Sequence, residues 1–64
     1  MLTFNHTRHG WYQCSEAQLV KAEAEYGHLS LDAMHGVAYE RSEVDFTDVR
    51  STTAMLIVFG EWEV

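Results

Sequence analysis

Hydrophobic and polar positions divide this chain into segments of different period. Leu2 and Phe4 alternate with Thr3 and Asn5, which predicts a short opening strand. A turn follows near Gly10, and Trp11 and Tyr12 lead toward a helix start. Ser15 and Gln18 form a capping box, in which each side chain satisfies a backbone donor at the other's position. Cys14 and Leu19 stand where a hydrophobic staple belongs, and Gly27 is a stop after Tyr26. These signals predict a helix over Glu16–Tyr26. Leu19, Ala22 and Tyr26 share one side of it, while Ala17, Val20 and Ala24 share nearly the opposite one, so a second element or a partner chain is expected to cover it twice.

A second, shorter helix is predicted at about 31–35. Ser30 caps it, Leu29 and Met34 staple it, Asp32 favours its first turn and Gly36 ends it. Beyond Gly36 the period changes to two. Val37 and Tyr39 alternate, the alternation slips at Arg41-Ser42-Glu43, and Val44 and Phe46 resume it, which reads as two strand segments about a turn or bulge. Residues 47–51 read as a polar connection. Thr52–Phe59 is apolar on both parities, as expected of a central strand covered on both faces. After Gly60, Glu61 and Glu63 alternate with Trp62 and Val64 as a last strand. The expected fold class is α+β: a small antiparallel sheet of three to four short strands, with one main helix (about 16–26) and a second short one (about 31–35) on one face.

With 64 residues there is room for one domain, 1–64, near the lower limit for a single unstapled core. Ordering it costs on the order of 100 kcal/mol in conformational entropy, so nearly every large apolar side chain has to be buried. At 47% hydrophobic, with two Trp, three Tyr and three Phe, the chain has the material. One cysteine rules out an internal disulfide, and the longest apolar run, Ala54 to Phe59, is far too short to span a bilayer. The first residues carry no basic segment followed by an apolar run, so no signal peptide is read there, and a soluble, cytoplasmic protein is expected. Asn5-His6-Thr7 matches a glycosylation sequon that has no meaning without secretion.

Charge changes the picture most. The formal net charge is −6, and it is unevenly spread. Residues 1–31 hold Glu16, Glu23 and Glu25 against Arg8 and Lys21. Residues 32–64 hold Asp32, Glu40, Glu43, Asp45, Asp48, Glu61 and Glu63 against Arg41 and Arg50. A one-sided excess in a small domain points to an interaction surface aimed at something positive. At strand spacing, Glu43/Asp45 and Glu61/Glu63 would each present two carboxylates roughly 6.8 Å apart on one face. Phosphates along a DNA strand rise roughly 3.4 Å each and sit farther apart in space, so such a row imitates a phosphate row. The plain alternative is a solvated face that guards the sheet. Direct nucleic-acid binding is a poor reading, because four scattered basic residues make no cationic footprint.

The remaining chemistry is sparse. His6, His9 and Cys14 lie close in sequence and His28 and His35 flank the short helix, but structural zinc sites need a second close pair of ligands, so no metal or other cofactor is expected. No serine, histidine or acid stands in a nucleophile context, no Gly-rich phosphate loop exists, and Cys14 reads as a small buried hydrophobe. Trp62, flanked by acids, is either an exposed anchor for a partner or the cap of a small core.

In length and charge the chain resembles the small acidic proteins with which phages block host defences, the anti-CRISPR and anti-restriction inhibitors. The likeness lies in size and charge and carries over no functional residue. It implies a non-enzymatic inhibitor, acting in the host cytoplasm, that occupies the basic nucleic-acid-binding surface of a larger complex. The candidate partner-binding residues are Glu40, Glu43, Asp45, Asp48, Glu61, Trp62 and Glu63. The alternative is a homo-oligomeric structural or regulatory module, such as a dimer built on Thr52–Phe59 or on the two-sided helix, with a histidine-based metal-binding domain third.

Overall fold

A hairpin opens the fold. In the computed structural model, which describes residues 1–63, β1 (Leu2–His6) and β2 (Gly10–Cys14) pair antiparallel, with Leu2 opposite Cys14 and His6 opposite Gly10. Gly10 takes φ 85°, in the left-handed region where glycine meets no Cβ penalty, and this lets the chain reverse within three residues. Leu2, Phe4, His6, Tyr12 and Cys14 turn inward, while Thr3, Asn5, Trp11 and Gln13 face solvent.

Three helices follow: α1 (Glu16–Tyr26), α2 (Leu31–Ser42) and α3 (Thr52–Glu61). The architecture is α+β, as expected, but among the described residues the sheet has two strands rather than three or four, and three helices replace one main and one short helix.

The first helix has the predicted bounds. Gln18 N–H donates to Ser15 Oγ at 3.1 Å, Ser15 N–H donates to Gln18 Oε1 at 2.7 Å, and Gly27 caps the far end. The second helix starts as predicted, with Ala33 N–H donating to Ser30 Oγ at 3.2 Å, but it runs through Gly36 to Ser42. An interior glycine costs a helix roughly 1 kcal/mol. Burying Met34, His35 and Ala38 on one face outweighs that cost. Leu31, Met34, His35 and Ala38 already carry the helical spacing. The strand segments expected at Val37–Tyr39 and Val44–Phe46 are therefore absent: the first is the last turns of α2, and the second is irregular.

The largest correction concerns Thr52–Phe59, which is helical. Ser51 caps it, with Ala54 N–H donating to Ser51 Oγ at 3.2 Å, and every residue from Ala54 to Gly60 is buried. An apolar run without period is equally compatible with a buried strand and a buried helix. Here the hairpin, α1 and α2 all pack against α3, and only a helix satisfies its own backbone while being surrounded. The core thus forms around a central helix, with Met55, Val58 and Phe59 fully enclosed. Glu61 ends α3 and Trp62 caps it, so the last predicted strand does not form; its Val64 lies outside the described residues. No helix among the described residues is long and apolar enough to cross a membrane.

Candidate functional site

Residues 43–51 return from α2 to α3 and carry half of the candidate acids. Glu43 ends α2 in the left-handed region at φ 58°, with its N–H donating to Tyr39 O at 2.8 Å. Asp45 then accepts from the Thr47 N–H at 2.9 Å and from the Thr47 hydroxyl at 2.6 Å. Those two bonds hold its carboxyl below the usual carboxylate range. Phe46 and Val49 plug inward, and Phe46 meets Tyr12 and His6 edge-on, with ring centroids 5.7 and 5.4 Å apart.

Two buried histidines grip this segment at consecutive residues. His6 Nε2 lies 2.9 Å from Asp48 Oδ1, and its Nδ1 accepts from the N–H groups of Arg8 at 3.3 Å and His9 at 3.2 Å. Two donors at Nδ1 place the ring proton on Nε2, which donates to Asp48. This bond is the main reason the Asp48 carboxyl sits below its ordinary range. From the other side, His35 Nε2 donates to Val49 O at 2.8 Å. Arg8 adds a longer ion pair to Asp48, at 3.6 Å.

The seven candidate residues therefore divide. Glu40 and Glu43 are exposed at the end of α2, and Asp45 is exposed just beyond. Asp48 faces solvent in part but serves the hairpin latch. Glu61 accepts from the Gln13 N–H at 3.0 Å and so covers the edge of β2, while Glu63 offers its backbone carbonyl to Gln18 Nε2 at 2.7 Å. Burial, with Glu61 second, pushes the Tyr12 hydroxyl and the Cys14 thiol up. Trp62 is a core cap: it meets Phe59 edge-on at 5.9 Å, and the Arg41 guanidinium stands 5.0 Å over its ring. Arg41 also donates to Tyr26 Oη at 2.9 Å, which ties the end of α2 to the end of α1 as well. The strand pairs Glu43/Asp45 and Glu61/Glu63 do not exist as such, because neither segment is a strand.

His6 and His9 stack at 4.8 Å, but Cys14 sits at the opposite end of the hairpin, beside Leu2. Among the described residues no three metal-ligating side chains converge. Sequence reasoning missed the roles of His6, His35 and Arg41. The parity that His6 shares with Leu2 and Phe4 was a signal that could have placed it toward the core, but no local signal named a partner 42 residues away.

A cavity of about 220 Å³ lies beside β1, lined by Phe4, Asn5, His6 and Thr7 on one side and by residues 48–51 with Ala54 on the other. No family model matches this chain, and neither a curated protein nor a solved structure matches it.

Proposed function

We propose that this protein is a non-enzymatic inhibitor that docks its acidic surface onto the basic, nucleic-acid-binding surface of a host defence complex. The observation that supports the reading is how the cations are spent. Arg41 is committed to Tyr26 and Trp62, and Arg8 leans on Asp48. Among the described residues, Glu40, Glu43 and Asp45 have no Lys, Arg or His in ion-pair contact, although the chain carries −6 overall. Unpaired carboxylates at one end of a helix and in the loop after it favour a cationic partner and raise its encounter rate.

Glu40, Glu43 and Asp45 make the contact in this reading. Asp48, Glu61 and Trp62 support the fold beneath it. The test is capture of a partner from host lysate, followed by competition with DNA or RNA over a range of salt. Glu40→Lys with Glu43→Lys should weaken capture at least tenfold, while Glu16→Lys with Glu23→Lys on α1 should change it little. Attraction of this kind also fades as screening shortens its reach. Binding indifferent to salt and to both reversals would reduce these acids to solvation.

A further inference from the structure

Gln13 donates its N–H to Glu61, away from β1. Facing residues of an antiparallel pair either exchange both ladder bonds or turn both sets outward. Thr3 faces Gln13, so Thr3 turns its N–H and C=O away from β2, and so does Asn5 two residues on. No backbone group meets them there among the described residues. Glu61 covers the β2 edge, but the β1 edge is open. Natural edges are guarded by charges, proline, bulges or a covering element. Residues 1–7 contain no Asp, Glu, Lys, Arg or Pro.

We propose that β1 pairs antiparallel with β1 of a second copy of this chain, across a twofold axis at Phe4, to give a four-stranded sheet. The open edge is self-complementary in that register. Thr3 exchanges both hydrogen bonds with Asn5 of the second copy, Asn5 does the same with the second copy's Thr3, and the two Phe4 side chains face each other on the axis. Leu2 of the second copy then lies opposite His6, at the cavity beside the edge. That cavity, at about 220 Å³, is smaller than the roughly 300–1,000 Å³ of small-molecule sites and better suited to an inserted side chain.

The self-complementary register selects a second copy as the occupant, and charge selects β1 as the place where it docks. α1 exposes Glu16, Glu23 and Glu25 against Lys21, and α2 exposes Asp32 and Glu40 against Arg41 with Glu43 just beyond, so a second copy docking on α1, or on the acidic end of α2, brings net like charge against like. On β1 it brings none. One strand pair is small beside the roughly 1,200–2,000 Å² of standard interfaces, so the dimer should dissociate on the order of 100 μM. This surface is separate from the acidic one, and its test does not depend on any inhibitor activity.

Sedimentation equilibrium from about 10 μM to 1 mM should show the mass rising from monomer to dimer, with slower amide exchange at Thr3 and Asn5 as concentration rises. Asn5→Pro deletes an outward N–H and leaves the bonds to β2 in place, so it should hold the protein monomeric. Thr3→Lys puts two like charges on the pairing edge through an exposed side chain and should weaken the dimer at least tenfold, a loss partly recovered in high salt. If Asn5→Pro fails to fold, Thr3→Lys decides. A monomer mass at 1 mM, a dimer undisturbed by Thr3→Lys, or capture of an extended foreign peptide on an edge that never self-pairs overturns the proposal.

Discussion

The imidazole of His6 joins the hairpin to the segment before α3: its Nε2 donates to Asp48 Oδ1 at 2.9 Å, while its Nδ1 holds two backbone N–H groups of its own turn. One buried ring thus closes a local turn and a contact between residues 42 positions apart. His35 secures the next residue through Val49 O, so the segment is held from the hairpin and from α2 together. His6→Ala removes the ring and every one of these bonds. It should cost about 2–4 kcal/mol in urea unfolding, since a cavity and lost hydrogen bonds add. Asp48→Asn keeps an acceptor for Nε2 and should cost less.

Acid should act through the same residues. The carboxyls of Asp48 and Asp45 sit below the usual carboxylate range, through the His6 bond and the Thr47 bonds respectively. A carboxyl depressed in the folded state adds stability that is fully present above the unfolded value and is lost as pH falls through the folded one. Melting temperatures between about pH 6 and pH 2 should therefore fall mainly below pH 4. The fall should be shallower in Asp45→Asn with Asp48→Asn, and an unchanged slope would remove these two groups from the acid transition.

Gly60 lets α3 lie against β2. A Cβ built there would stand 2.7 Å from Cys14 Sγ and 3.1 Å from its Cβ. Gly60→Ala should destabilise by about 1–3 kcal/mol, the usual cost of overpacking. Cys14→Ala removes the sulfur, so the double variant should recover part of that loss, and a thermodynamic cycle would read the coupling.

Glu43 terminates α2 in a conformation that suits glycine better than any residue with a side chain. Glu43→Gly should raise stability by about 0.5–1 kcal/mol. The same change removes an unpaired carboxylate from the acidic surface, so partner capture should weaken while thermal stability improves. A gain or a loss in both would contradict the separation of the two roles.

Arg41 links Trp62 to Tyr26. In a Trp11→Phe background, which leaves Trp62 as the sole indole, Arg41→Ala should shift the Trp62 emission and cost about 0.5–1 kcal/mol from the lost cation–π contact, plus the bond to Tyr26. Emission insensitive to the change would remove Arg41 from the cap.

The legible parts of this protein are those whose causes are local. The capping box Ser15–Gln18 and the stop at Gly27 bound α1 correctly, because the bonds that end a helix lie within four residues of its end. Ser30 marked the start of α2, and the alternation of Leu2 and Phe4 marked β1. Ser51 was an equally good cap, but it stood before a run whose β-branched residues spoke for a strand. Of the candidate site, the acid excess was visible in the composition, yet which carboxylates stay unpaired was not, since Arg41 is claimed by Trp62 and Asp48 by His6 only once the chain has folded.

Alone, the sequence determined where α1 and α2 begin, which side of β1 faces inward, that the apolar run Ala54–Phe59 is buried, and that charge collects in the second half. Tertiary structure decided that the buried run is a helix, that α2 continues through Gly36, and that the hairpin stays two-stranded. Burial follows from composition, because a 64-residue chain cannot leave such a run in water. The conformation adopted when buried depends on what surrounds the run. With the hairpin and both other helices packed on α3, its backbone N–H and C=O groups are satisfied from within the helix.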